Sequence, residues 1–560
     1  RIDSLVVRDT SSLSGAEDVL SVGSLSVEVS LSNLLRDTLV WRKVSVEDAA
    51  VRVVVDSSGR MNLGELVMST HSSTGFTPPV KHSLLHPFHD FTDMKITLSG
   101  VDLLYQDLLK RKRMKARIQQ LDGWIPKRSK AELSLEACFD AGVAGLAFNL
   151  DKGSYLQDQF LQGCLLLNRR GERWLLEQTE LQVGPDKYTI AGSVDPAYLS
   201  FSIANDSVIY DRASALLHDT LQARLAQFDV AGPFRVEALV TKLPDSGNEV
   251  DLSLHFWTKD QTVRIRDYTF NHVTTEGVFV NRLPEALGGN SKSLQEFLIE
   301  IDTTLAYYDG MRVTSPRAEV RGFPMDVFLN APIALSGQAD ALARLFGNTD
   351  FQFPVGKFVL KTHVNASLND VEQIVKTSNG GLNFDNLLVS YRPSAVSFPL
   401  ERLKLHKQGD DVRFQLRSGE LQGGLGFDMV GGLDNIVPLL LDRPADSMRT
   451  EVIFHSQRGD WSSFRALFGA DGYFEGERTE AGGGSELQVT KMKQTLRGLG
   501  RQFRPHLQMV IDTLAYYDIL CLKDFRTGIR FDQDTLVLQR SRFDWETSTF
   551  GLSARVGLTE

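Results

Sequence analysis

Cysteine is scarce in this chain of 560 residues: there are three, and Cys138, Cys164 and Cys521 form no CxxC pair. That excludes a thiolate zinc site and a multi-bridge disulfide framework. Pairing of Cys138 with Cys164 in an oxidising compartment stays open, because sequence does not give their separation in space. No run approaches the roughly 20 apolar residues that a membrane-spanning helix needs, and no signal sequence is visible. An excess of positive charge is missing too. Lys plus Arg is 61 against Asp plus Glu 71, a formal net charge of -10, which disfavours nucleic acid as a partner. The tightest basic patch is Lys110-Arg111-Lys112-Arg113 with Lys115 and Arg117, after a strand ending at Tyr105. It reads as a solvated strand edge or loop, with an anionic-headgroup contact as the alternative.

Catalytic motifs are lacking as well. There is no GxSxG elbow, HExxH pair, Walker loop or calcium-binding DxDxDG loop. The run Gly423-Gly424-Leu425-Gly426 lacks the third glycine of a dinucleotide site and reads as a turn or bulge, and Gly482-Gly483-Gly484-Ser485 as a flexible connector. His82, His86, His89 and Asp90, with His71 upstream, have helical spacing for a zinc or nickel site. Pro87 breaks such a helix, so a solvated histidine-bearing loop is the expectation. Paired acids such as Glu47-Asp48 and Asp532-Asp534 fall at strand ends or turns. The sequence therefore predicts no enzyme, no cofactor and no metal.

What the chain does contain is alternation. Leu25, Val27, Val29 and Leu31 alternate with Ser24, Ser26, Glu28 and Ser30, and after Leu34-Leu35 the pattern resumes at Val51, Val53 and Val55. The second strand ends in Asp56-Ser57-Ser58-Gly59-Arg60-Met61-Asn62. Gly59 suits the positive φ of a tight turn, and Asn62 suits the cap of a short helix at Leu63-Gly64-Glu65-Leu66. Residues 69–90 turn to Ser, Thr, His and Pro and read as a linker. Beyond them Leu133, Leu135, Ala137 and Phe139 alternate with Ser134, Glu136, Cys138 and Asp140. Val250, Leu252, Leu254 and Phe256 do the same, as do Phe358, Leu360, Thr362, Val364, Ala366 and Leu368. The sheet is thus expected to have one greasy and one wet face.

Helical signals are short. The best spans Asp211 to Phe228, and Leu342-Ala343-Arg344-Leu345-Phe346-Gly347 is echoed by Phe464-Arg465-Ala466-Leu467-Phe468-Gly469. A second echo links Asp302-Thr303-Thr304-Leu305-Ala306-Tyr307-Tyr308-Asp309 to Asp512-Thr513-Leu514-Ala515-Tyr516-Tyr517-Asp518, with Leu103-Leu104-Tyr105-Gln106-Asp107 as a worn third copy. These echoes suggest duplication of an extended sheet unit. The expected division is 1–75, an N-terminal module; 76–90, a linker; 91–290, a first sheet segment; and 291–560, a second segment with a partial internal repeat. A weak break lies near residues 286–293.

An apolar sheet face is covered by a second sheet, by a bilayer, or by a bound apolar ligand. Sandwich domains usually close within about 100 to 150 residues with visible linkers, and barrels show aromatic girdles and regular strands. Neither pattern stands out, which leaves a lipid-carrying trough. The order and spacing of residues 20–68, with the later long strands, short Leu-rich helices and strand ends such as Gly551-Leu552-Ser553-Ala554-Arg555-Val556-Gly557, resemble the AsmA-like family of AsmA, TamB and YhdP type. The resemblance implies a protein of the Gram-negative periplasm, anchored in the inner membrane by an N-terminal helix that this sequence does not contain. It implies an elongated, curled, mostly antiparallel sheet with a few short helices, forming an open apolar groove. If about thirty strands stack at roughly 4.8 Å each, such a sheet extends on the order of 140 Å, comparable to a periplasmic span. The implied partners are phospholipid or another lipid, the inner membrane and an outer-membrane protein, and the implied role is lipid passage that supports outer-membrane assembly. On this reading Val27, Val29, Val53, Leu135, Phe139, Leu254, Phe256, Leu360 and Val364 line the groove. The rival is a structural or adhesive β-sandwich protein that binds glycans or proteins.

Overall fold

The computed structural model describes residues 1–9, 17–30, 40–62, 93–126, 132–151, 153–195, 198–242, 251–280, 298–322, 327–345, 351–391, 396–419, 426–441, 448–460, 505–516, 519–532 and 535–557. Among them are 29 strands, all in one mixed sheet, four helices of six or seven residues and one helical turn of four. The fold is mainly β and mostly antiparallel, as the alternation predicts. Two compact units are present: Arg1–Thr269 with Glu276–Phe297, and Phe270–Thr275 with Leu298–Glu560.

The first unit contains β1 (Ile2–Asp9), β2 (Glu17–Val29), β3 (Trp41–Val55), β4 (Met94–Asp107), β5 (Lys112–Ile125), β6 (Glu132–Asn149), β7 (Gly153–Tyr155), β8 (Gln159–Arg170), β9 (Arg173–Val183), β10 (Asp186–Val194), β11 (Leu199–Val208), β12 (Phe228–Val230), β13 (Phe234–Lys242) and β14 (Asp251–Ile265). Neighbouring strands follow each other in sequence through short turns, which close antiparallel hairpins at little entropic cost. Exceptions are β6 with β8, which pair around β7, β11 with β13, which pair around two short helices and β12, and β3 with β4, which pair parallel across the long stretch from Asp56 to Asp93. β15 (Tyr268–Val280) gives its Phe270–Thr275 stretch to the second unit.

The alternation changes phase in the middle of β2 to β4. Asp48 (φ 52°) and Gly100 (φ 65°) adopt left-handed backbone. A Cβ added at Gly23 would stand 3.1 Å from Asp48 Cβ, and one added at Gly100 would stand 2.8 Å from Asp48 Oδ1. The three residues make a bulge that crosses the strands and re-aims the side chains beyond it. Val22 and Leu25, Ala49 and Val46, and Val101 and Leu98 consequently share one apolar cluster despite their odd spacing.

The second unit contains β16 (Leu298–Tyr308), β17 (Met311–Ser315), β18 (Ala318–Arg321), β19 (Phe328–Gln338), β20 (Phe351–Ser367), β21 (Asn379–Tyr391), β22 (Val396–Gln408), β23 (Asp411–Ser418), β24 (Asp428–Asp434), β25 (Arg449–Asp460), β26 (Pro505–Tyr516), β27 (Leu520–Asp532), β28 (Thr535–Trp545) and β29 (Ser548–Gly557). β25 and β26 pair parallel. The echoed segments occupy matching places: each ends the first strand of an antiparallel hairpin, β4 with β5, β16 with β17 and β26 with β27. Two of those first strands, β4 and β26, are the ones that enter parallel pairings.

The helix expected over Asp211 to Phe228 is divided in two, α1 (Tyr210–Ala215) and α2 (Asp219–Leu225). His218 ends the continuity by capping α2: its Nδ1 accepts from Leu221 N at 3.4 Å. Phe228 already belongs to β12. α1 lays Ala213, followed by Leu216, on Val183, Tyr188 and Val208. α3 (Ala339–Leu345) buries Ala339, Ala341 and Leu342 against Met311, Phe358, Phe384, Leu387 and Leu400. α4 (Val371–Thr377) starts at Asp370, whose Oδ1 accepts from Gln373 N at 2.9 Å, and α5 (Val437–Leu440) is a single turn.

The turn after β3 keeps the positive φ expected of Gly59, at 83°. Asp56 organises it. Its Oδ1 accepts from Ser58 Oγ at 2.6 Å, Arg60 N at 2.9 Å and Ser58 N at 2.8 Å. These donors hold the Asp56 carboxyl at about 2, below its ordinary 3.8. Because the folded value is the lower one, the turn gains from the carboxylate at every pH above the ordinary value, and the gain fades as pH falls through about 2. The amide chemical shifts of Ser58 and Arg60 should therefore titrate with a midpoint near 2; a midpoint at the ordinary value would show the contacts absent in solution. Asn62 uses its side chain on β3, with Nδ2 donating to Arg52 O at 2.9 Å and Oδ1 accepting from Val54 N at 3.0 Å. The helix expected after it, the Leu34-Leu35 segment, the linker with its histidines and Asp90, the 286–293 break, the 464–469 echo and the glycine runs 423–425 and 482–485 lie outside the described residues.

Candidate functional site

Cross-strand partners on a sheet point to the same face, so the registers can be followed as files of side chains. In the first unit Leu25 of β2 stands beside Val46, then Leu98, Leu121, Phe139, Gly163, Leu181 and Tyr188. Two residues along β10 the file continues as Ile190, Ile203, Ala238 and Leu254. A parallel file runs Val27, Val44, Ile96, Gly123, Ala137, Leu165. In the second unit the file is Leu335, Leu360, Leu382, Leu405, Phe414, Gly431, Val452, Leu507, Ile529, Leu538 and Ala554, one residue from each strand from β19 to β29. No polar side chain interrupts it. At about 4.8 Å per strand, eleven strands carry such a file over roughly 50 Å.

These files are not sealed. Val27, Phe139, Leu254 and Leu360 lie in these files, and none of the nine groove candidates is among the buried residues. Val27, Val53, Leu135, Phe139, Leu254, Phe256, Leu360 and Val364 are half-buried, and Val29 is exposed. Among the described residues 36 hydrophobic side chains are buried while 28 large ones are exposed, a small core for so many strands. In a closed sandwich the inner faces interdigitate and both rows vanish from solvent. Here four separate apolar clusters are buried, two of them under α1 and α3, and file residues pack against them while staying half-buried: Leu335, Leu360 and Leu382 against the α3 cluster and Leu507 against Phe427, Phe454 and Ile511.

Charge keeps off these files. The ionisable groups on the same faces stand at or near strand ends, among them Asp107, which closes β4, Lys112, which opens β5, Arg169, one residue from the end of β8, Asp186, which opens β10, Lys242, which closes β13, and Lys407, one residue from the end of β22. Asp107 is buried and accepts from Lys110 N at 2.7 Å, and Asp186 holds Arg212 at 2.8 Å. Burial pushes the Lys407 ammonium below its ordinary value, and its Nζ donates to Ser378 O at 2.9 Å. The opposite faces are wet. In the second unit they carry exposed ion pairs such as Arg417 with Asp428 at 2.9 Å and Arg413 with Asp434 at 3.3 Å, each worth little in stability. Arg113, Lys115 and Arg117 of the basic patch are exposed on the polar side of β5, as the solvated reading expects.

Sequence reasoning leaves the pairing of Cys138 with Cys164 open, and the two are joined by a disulfide between directly opposed residues of β6 and β8. The signal is the alternation itself, which puts both on the polar face once the strands are registered. Cys521 is free and exposed. Among the described residues no group of three His, Cys, Asp or Glu is placed to hold a metal, and no helix is long and apolar enough to cross a membrane. No protein-family model, curated protein or solved structure matches this chain.

Proposed function

We propose that this protein is a non-enzymatic lipid carrier of the AsmA-like kind, which holds or conducts phospholipid or other acyl chains along an apolar β-groove between the inner and outer membranes. The observation that carries the reading is the half-buried file from Leu335 to Ala554, apolar on eleven consecutive strands. Contiguous apolar surface of this length is unusual on a soluble protein unless something binds it. A bound acyl chain gains about 0.8 kcal/mol for each methylene withdrawn from water. Because the file presents the same chemistry at each strand, a chain can advance without losing that gain at any step. The likeness of residues 20–68 to the AsmA-type opening supports the family, a periplasmic site and an inner-membrane attachment.

The Cys138–Cys164 disulfide supports an oxidising compartment, where such bonds persist. Thiol titration of the unreduced, denatured protein is expected to find one reactive thiol, Cys521, and three after reduction. Three before reduction would remove this support. The reading itself is tested by extracting the purified protein and identifying lipids by mass spectrometry. Phospholipid retained in proportion to protein supports the carrier, whereas lipid-free protein with no uptake from vesicles sinks it.

A further inference from the structure

The polar face of the first unit holds a second site of different chemistry. Registers place Lys95, Trp124, Glu136 and Leu166 in one row across β4, β5, β6 and β8, with Asp122 and the Cys138–Cys164 disulfide in the next. Together they line an open concavity of about 630 Å³, within the range of small-molecule sites. Trp124 is 39% exposed. Its indole N–H is already committed, with Nε1 donating to Asp93 Oδ1 at 3.0 Å, so what it offers a ligand is its apolar ring. Leu166 and the disulfide extend that apolar surface, and the covalent tie between β6 and β8 fixes the floor before anything binds.

The rim is polar and carries both signs. Lys95 and Glu136 flank Trp124 as its directly opposed neighbours on β4 and β6, and neither has a side-chain partner among the described residues. Asp122 stands one position further along the polar face and accepts from Gln120 Nε2 at 2.7 Å, which leaves acceptor capacity on its second oxygen. An acyl chain would strip water from three charged groups without repaying them. A polyanion would meet two carboxylates. A sugar ring fits both demands, because one side of it is C–H surface that lies on an indole, while its edge is a ring of hydroxyls that each donate and accept. We propose that this basin binds a saccharide unit of a glycan chain, stacked on Trp124, with hydroxyls donating to Glu136 and Asp122 and accepting from Lys95. The site lies on the face opposite the lipid files, and the inference stands independently of the lipid reading.

Calorimetric titration of the purified chain with chitotetraose, cellotetraose and maltotetraose, with phosphocholine as the non-glycan probe, tests it. At least one oligosaccharide should bind with a Kd on the order of 1 mM or tighter, Trp124→Ala should weaken it about tenfold or more, and Glu136→Gln should weaken it severalfold. Both variants should keep wild-type unfolding and lipid content, since the two side chains stand outside the core. The proposal is overturned by no heat from any of the three sugars up to ~10 mM, by undiminished binding in Trp124→Ala, or by phosphocholine binding more tightly than the sugars.

Discussion

Leu360→Asp is expected to strip most retained phospholipid from the protein while leaving it folded, and Phe256→Asp should do the same from the first unit. A carboxylate set against acyl chains costs about 2.5–3.5 kcal/mol on insertion scales, which is roughly a hundredfold in local occupancy. The position matters as much as the charge. Leu360 lies between Leu335 and Leu382 on one face, whereas Lys361 next to it points to the other. Lys361→Asp therefore makes the control: it introduces the same carboxylate one residue away and should leave lipid unchanged. Both side chains are at least partly solvated in the native state, so neither substitution buries an unpaired charge in the absence of lipid. Phospholipid per protein, measured by mass spectrometry with circular dichroism as the folding check, decides the matter. Wild-type lipid in a folded Leu360→Asp variant would show that the file is not where lipid sits.

How much of this is readable from sequence depends on how local each determinant is. Alternation is set residue by residue, so the facing of Leu135 against Glu136, or of Leu360 against Lys361, is legible, and the mainly antiparallel class comes with it. The phase change at Gly23, Asp48 and Gly100 is not, because it arises when three strands stack their irregular residues in one line, and any one of them alone resembles an ordinary turn residue. The parallel pairing of β3 with β4 and of β25 with β26 is hidden for a related reason: it joins segments far apart in sequence. The division of Asp211 to Phe228 into α1 and α2 turns on one imidazole acting as a cap, which apolar spacing does not report. Trp124 gives no signal of its own because it alternates correctly as a polar-face residue. Its place in a basin comes from the strand on either side.

Phe358→Ala measures how far the apolar face is covered, and its effect on stability should be the largest of any single truncation on that face. Phe358 is 1% exposed, its ring centroid lies 6.4 Å from that of Phe384, and α3 closes over it with Ala339, Ala341 and Leu342. Removing the ring leaves a sealed cavity, so a loss of about 3–5 kcal/mol is expected. Leu360, two residues along the same strand and face, is half-buried. There solvent fills the space left by truncation, and Leu360→Ala should cost only about 1 kcal/mol. Hydrogen exchange across β20 to β22 reports the second unit directly, which matters because two compact units need not unfold together. A steep contrast between the two positions locates the boundary between packed core and open face, and it places that boundary within one strand. Equal losses would mean that Leu360 is as deeply packed in solution as Phe358. The file would then be covered by protein, and there would be no surface left on which an acyl chain could lie.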